Sequence, residues 1–283
     1  MNVKELTREP LLGLNMHPNW LEGGPPEDFL LPLKEAGLTI LEFPMRLLVA
    51  EWNEMDALVS ASRQLGFAVS FHAPYGGSYN VARFLGGEQE SAKQLFNPLI
   101  GYAAAVASED GPITLVVHGA EGRSEREQLK TATVNFVDWL WERAPQLEPA
   151  LELRAREADA VKIGDRKVDL LEVLARSRNP QLGICWDLGH DAVNGWSECP
   201  PGFVERVSHV HVHDLSPSGD DHLPLLFGNV PYGDALGQLR RSSYQGVFIL
   251  EVNGYSVVRI ARARSVSYTQ LLQESFQRVV EAL

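Results

Sequence analysis

Eight short apolar runs alternate along the chain with longer stretches of helical spacing, and no other feature restricts its fold as much. The runs are Leu11–Met16, Thr39–Phe43, Ala68–Phe71, Ile113–Val117, Ala150–Leu153, Gly183–Trp186, Val207–Val212 and Val247–Val252. Several are rich in β-branched and aromatic residues, as strands covered on both faces of a parallel sheet are. Between them, Pro26–Ala36 and Asn53–Leu65 carry apolar residues at helical spacing and run into Gly37 and Gly66, which can end helices. Glu125–Arg143, Asp169–Arg176 and Tyr268–Leu283 repeat that spacing, with Asp169 a candidate cap. Eight strand–helix alternations without a low-complexity linker predict an α/β fold, a (β/α)8 TIM barrel occupying residues 1–283 as a single domain. A doubly wound open sheet would want a glycine-rich phosphate loop after its first strand, and LGLNMHPNW has none.

The remaining bulk properties agree. A length of 283 residues suits one barrel, and 45% hydrophobic with 22% charged residues excludes disorder, a collagen-like chain and a coiled coil. Two cysteines, Cys185 and Cys199, cannot form a disulfide framework, so a reducing, cytoplasmic setting is expected. The first residues carry no signal-peptide pattern, and no window approaches the roughly 18 apolar residues of a membrane span. The net charge of −12 argues against a broad nucleic-acid face.

On this map the chemistry-bearing residues fall at one end of the strands. His72 closes the third and His118 the fourth; Glu152 sits in the fifth; Asp187 ends the sixth with His190 three residues on; His209, His211 and His213 alternate in the seventh; Glu251 ends the eighth. The C-terminal strand ends of a barrel converge on one mouth, where active sites are built. Any one of these residues alone reads as core, cap or loop, but six consecutive strands delivering His, Asp or Glu to one mouth read as a metal site. Imidazole and carboxylate without thiolate suit zinc, manganese or magnesium. Asp220 and His222, two apart in a segment taken as extended, can point to one side and chelate one ion. The Gly-, Ser- and Asn-rich stretch 76–87 reads as an active-site loop.

The series HAPY at His72–Tyr75, His118, Glu152, DLGH at Asp187–His190, HVHD at His211–Asp214, DDHLP…GN at Asp220–Asn229 and Glu251 resembles the xylose isomerase-like barrels. That superfamily includes endonuclease IV-type enzymes (AP endonuclease family 2) and sugar isomerases and epimerases. In the endonuclease IV branch, the resemblance implies up to three zinc ions. His72, His118 and Glu152 would hold the first. Glu152, Asp187, His211 and Glu251 would hold the second, and His190, Asp220 and His222 the third. In the isomerase branch it implies one Mn²⁺, Mg²⁺ or Zn²⁺ on Glu152, Asp187, His211 and Glu251. The fifth-strand ELR departs from the Glu-Asn-Thr of many relatives. The ligand within HVHVHD is assigned by alignment with Asp214, and His17 is expected to pack under the mouth.

Because all nine ligand positions hold compatible residues, the leading expectation is multi-zinc hydrolysis of a phosphodiester or phosphate ester, with Glu152 orienting or deprotonating the attacking water. The alternative is a sugar or sugar phosphate isomerase or epimerase with Glu152 and Glu251 shuttling a proton, His190 then binding substrate. A non-catalytic barrel is the third reading. Tyr75, Arg154, Trp196, His213 and Arg259 are candidate substrate contacts. The expected partner is a small anionic or sugar-like molecule. DNA, for which Tyr75, Tyr79 and Trp196 could act as wedges, is possible but not favoured.

Overall fold

In the computed structural model, which describes residues 11–16, 18–21, 24–46, 52–226, 228–230 and 232–282, all eight apolar runs form strands. They are β1 (Leu11–Asn15), β2 (Ile40–Pro44), β3 (Ala68–His72), β4 (Ile113–Val117), β5 (Leu147–Glu152), β6 (Gly183–Asp187), β7 (Val207–Val212) and β8 (Val247–Leu250). Each pairs in parallel with its sequence neighbours, and β8 returns to β1, closing an eight-stranded barrel. The helices are α1 (Pro26–Glu35), α2 (Trp52–Gln64), α3 (Gln89–Asp110), α4 (Arg126–Arg143), α5 (Lys167–Arg176), α6 (Leu188–Val193), α7 (Tyr232–Arg241), α8 (Gly254–Arg264) and α9 (Tyr268–Ala282). None of the described helices is long and apolar enough to cross a membrane. His17 lies outside the described residues.

Successive side chains on a strand point to opposite faces, and here the two faces are sorted. One set, exemplified by Leu41, Phe43, Phe71, Leu115, Leu151, Trp186, Val210 and Phe248, joins the large apolar core. The other set faces inward. Its lower part is two small apolar clusters, Ile40 with Val247 and Ile249, and Val116 with Ala150 and Cys185. Its upper part is polar: Glu42, His72, His118, Glu152, Asp187, His209 and His211, all buried. The barrel is thus plugged below and chemically equipped above.

The register of β6 on β7 shifts between Ile184 and Cys185, and the shift sets Asp187 beside His211. The bulge has room because Gly183 has no side chain; a Cβ there would lie 2.1 Å from Ser208 Oγ.

One local expectation changes, and one loop takes a defined form. Asp169 does not cap α5; it lies in the first turn and, with Asp165, accepts hydrogen bonds from Arg126. The stretch 76–87 is three short 3₁₀ turns, pinned where the Asn80 amide donates to the Glu121 carbonyl. Just beyond the mouth, Glu121–Gly122 and Val161–Lys162 form a small antiparallel ribbon.

Helices α5 and α6 are locked by a buried ion pair, Lys167 Nζ to Asp191 Oδ2 at 2.6 Å, with side chains 3% and 1% exposed. Trp186 Nε1 donates to the same carboxylate at 2.9 Å. Removing one partner of such a pair strands the other charge. Lys167→Met is therefore expected to lower stability in urea unfolding by about 3–5 kcal/mol. Adding Asp191→Asn should recover most of that loss; a single variant as stable as the parent would contradict the coupling.

Candidate metal centre and its cavity

Asp187 ends β6 and begins α6, and the local fold divides its carboxylate between two tasks. Oδ1 accepts the His190 backbone N–H at 2.7 Å, capping the helix, while Oδ2 lies 3.2 Å from His190 Nδ1 and 3.8 Å from His211 Nδ1. The sequence allowed either a cap or a ligand here; one residue does the first and is placed for the second.

Around it, inward-facing donors form four overlapping groups, the deepest being Cys185 with His209 and His211. His72 and His118 bring Nε2 to 3.0 and 2.8 Å of Glu152 Oε2. Glu152, Asp187 and His211 form the middle group, and Glu251 Oε2 lies 3.0 Å from His211 Nδ1. Asp187, His190, His213 and His222 form the fourth. Ligands 2.0–2.2 Å from one ion sit about 3.0–3.5 Å from each other, so these separations fit a cation's coordination shell. Buried Asp187 Oδ2, Glu251 Oε2, His211 Nδ1 and His118 Nδ1 also lack a hydrogen-bond partner among the described residues. A cluster with more buried donor atoms than partners is one that a divalent ion can satisfy by displacing the protons its members share. The ring orientation helps: His72 Nδ1 donates to the Ala73 carbonyl at 2.9 Å, which turns Nε2 toward Glu152, where a bound cation would replace the shared proton.

Electrostatics holds the acids ionised. Burial alone would raise the Glu152 carboxyl, but hydrogen bonds from His118, His190 and His72 keep it well below the usual range. Glu251 likewise would rise by burial and is held well below by His211 and His222. Burial opposes the charge on His211, yet its pKa is raised well above the ordinary value. Cys185, pushed up by its own burial, stays a neutral thiol at pH 7, so the anions responsible are Glu251 and Glu42. His118 is held neutral by burial and by the nearby Arg154 charge.

Glu42 was not among the sequence-derived candidates. It is buried at 1% exposure on β2, where Oε2 lies 2.8 Å from His209 Nε2 and Oε1 3.0 Å from His211 Nε2. His211 therefore meets one carboxylate on each side of its ring. The only sequence signal was a lone acid inside the apolar run ILEFP.

Other candidates move. Asp220 does not join His222: the segment is a turn rather than extended, closed by Ser216 N–H to the Asp220 carbonyl, and the exposed Asp220 carboxylate accepts from Ser216 and Ser218. Its neighbour Asp221 contacts His222 Nδ1 at 3.0 Å, and that hydrogen bond pulls Asp221 down to about 2. His213, expected at the substrate, is fully buried; its Nδ1 accepts the His222 backbone N–H at 3.0 Å and its Nε2 is 3.1 Å from Asp187 Oδ1. It packs against Gly189, where a Cβ would lie 2.0 Å from the ring. Arg259 is exposed on the outer helix α8. Trp196 lines a separate groove with Asp234 and Arg241. Tyr75 and Arg154 do reach the centre, lining a cavity of about 260 Å³ with His72, His118, Glu152, His190, His222 and Glu251.

Known proteins with this architecture include ketose epimerases. The D-allulose 3-epimerase of Methylomonas sp. superposes with a TM-score of 0.71 at 14% identity, covering 98% of this chain and 99% of that one. The D-psicose 3-epimerase of Clostridium cellulolyticum H10, solved with D-tagatose, gives 0.70 at 12% identity, covering 96% and 99%. In sequence, an uncharacterized protein of Methanocaldococcus jannaschii is 32% identical over 96 residues, 31% of this chain. That match spans about a third of the relative, 32% of its length. Residues 30–277 match the family model described as xylose isomerase-like TIM barrel, and the chain belongs to that family.

Proposed function

We propose that the protein is a metal-dependent isomerase or epimerase of a small sugar. The observation that carries this reading is the meeting of Glu152, Asp187, His211 and Glu251, of which Glu152 and Glu251 line one small cavity and Asp187 and His211 are buried behind them. These four would hold one divalent cation, Mn²⁺, Mg²⁺ or Zn²⁺, which supplies Lewis-acid stabilisation for charge developing on a carbonyl oxygen. Glu152 and Glu251 come from β5 and β8, on either side of β6 and β7. Their carboxylates suit a two-base proton relay: the ionised one takes the proton from the carbon beside the carbonyl, and the other, entering the cycle with a proton taken from solvent, gives that proton to the opposite face and is left ionised, inverting that carbon. His190 and His222 line the same cavity and are suited to donate to sugar hydroxyls. Tyr75 stacks on His118 with centroids 3.9 Å apart and covers that side of the site from water. A cavity of about 260 Å³ is at the small end of ligand sites, which run to roughly 300–1,000 Å³.

This reverses the order expected from the sequence, where phosphodiester hydrolysis led. Two observations favour the change: the architectural neighbours include ketose epimerases, and Asp220, needed as a ninth zinc ligand, sits on an exposed turn. The group His72, His118 and Glu152 nonetheless offers a second cation a place. Metal content after purification separates the two readings: about one ion per chain accords with isomerisation, about three with hydrolysis.

The functional test is solvent exchange. Metal-loaded protein incubated with ketohexoses in D₂O is expected to incorporate deuterium beside the carbonyl and to yield the C3 epimer, with both signals lost on chelation. Glu152→Gln and Glu251→Gln should each slow exchange by about 10²–10⁴-fold. No exchange with any ketose, alongside turnover of bis-p-nitrophenyl phosphate, would restore the hydrolase reading.

Glu42 contributes through His211. A carboxylate on the far nitrogen fixes ring orientation and tautomer, so Glu42→Gln is expected to weaken divalent-metal binding about 10–100-fold by calorimetric titration. An unchanged affinity would reduce Glu42 to a structural partner of His209.

A further inference from the structure

Four cationic side chains are buried among the described residues: Lys130, Arg154, Lys162 and Lys167. Three are directly paired, Lys130 with Glu127 and Glu172, Lys162 with Glu157, and Lys167 with Asp191. Arg154 is the exception. Its side chain is 9% exposed, the closest carboxylate oxygen, Glu121 Oε2, is 3.7 Å away, and no hydrogen bond to its guanidinium is formed by the described residues. The guanidinium lies over the Tyr75 ring at 5.3 Å, a contact that uses the face of the cation and leaves its N–H donors unspent.

The position is built. Arg154 follows Glu152 by two residues, so it continues the inward-facing set at the mouth. Its main chain is held at both ends, N–H to the Gly164 carbonyl at 2.9 Å and carbonyl from the Asn194 amide at 2.9 Å. Gly164, at φ 113°, must lack a side chain, since a Cβ would sit 2.5 Å from the Glu152 carbonyl and 3.3 Å from Arg154 Cγ. The other acids around the cavity have partners already: Glu157 has Lys162, Asp221 has His222, and Glu152 and Glu251 have their histidines. Only the part-exposed Glu121 carboxylate faces Arg154, in a loose pair at 3.7 Å without a hydrogen bond.

We propose that Arg154 recognises an anionic substituent of the substrate, a phosphate or a carboxylate carried by the sugar. This rests on the isomerase or epimerase reading and narrows its substrate class. A planar guanidinium with free donors matches an oxyanion in bidentate fashion, whereas sugar hydroxyls offer only neutral acceptors.

The test is calorimetric binding to the metal-loaded protein, with D-fructose, D-fructose 6-phosphate and D-fructuronate as probes. At least one anionic sugar is expected to bind about 10–100-fold more tightly than D-fructose, and the tighter of the two identifies the substituent. Arg154→Ala should erase that preference, bringing the ratio of anionic-sugar to D-fructose affinity close to one whatever happens to D-fructose binding itself, with Arg154→Gln as a second variant should the alanine protein fail to fold. Arg156→Ala, an exposed cation beside a neighbouring groove, should leave the preference intact. The inference is overturned by equal affinity for all three sugars, by no binding of either anionic sugar, or by an anion preference that survives in the Arg154 variants. Binding is read without turnover, so lack of deuterium exchange would count against the isomerase reading and leave this result interpretable.

Discussion

Every strand of a closed parallel barrel can turn only alternate residues toward the axis, and the chemistry of this protein depends on which residues obey that parity. The inward positions change from largely aliphatic at the bottom to His, Asp and Glu at the top, while the outward positions, apart from Ser208 at the bulge, stay apolar. A slip of one residue in any strand would exchange a ligand for a core side chain. The bulge at Ser208 and the bare Gly183 opposite it matter for this reason. They set the phase of β7, and with it His209, His211 and His213.

Much of this was legible in the linear sequence, because strands buried on both faces stand out as uninterrupted apolar runs and glycines at helix ends mark the crossovers. Helix α3 was not among the expected helices; it spans residues 89–110 and contains Pro98. Ligand-type residues at strand ends were visible because parity and position coincide there. What escaped was long-range. Glu42 has no polar companion on its own strand, and its meaning appears only once barrel closure brings it to His209 and His211 from the other side. Asp220 failed for a local reason, since an i, i+2 chelate presumes extended backbone. Gly219 at φ 90° and His222 at φ 52° turn the chain instead.

Burying so many ionisable groups together is costly unless each finds an opposite charge or a cation. The centre handles this by interleaving, with Glu42, Glu152, Asp187 and Glu251 each flanked by imidazole. The net acidity of the chain therefore says little about the mouth, where each buried carboxylate has an imidazole beside it and a bound cation would offset part of the negative charge. A substrate bearing negative charge is compatible with such a site even on an acidic protein.

The double duty of Asp187 has a thermodynamic corollary. One oxygen terminates α6 and the other faces the ligand cluster, and α6 carries Asp191, the partner of Lys167 at the start of α5. Whatever occupies the centre and favours this rotamer also tightens the cap, and through it the seating of two outer helices. By reciprocity, loosening that pair of helices weakens occupancy. Asp187 thus ties the ligand cluster by one carboxylate to the α5–α6 quarter of the barrel.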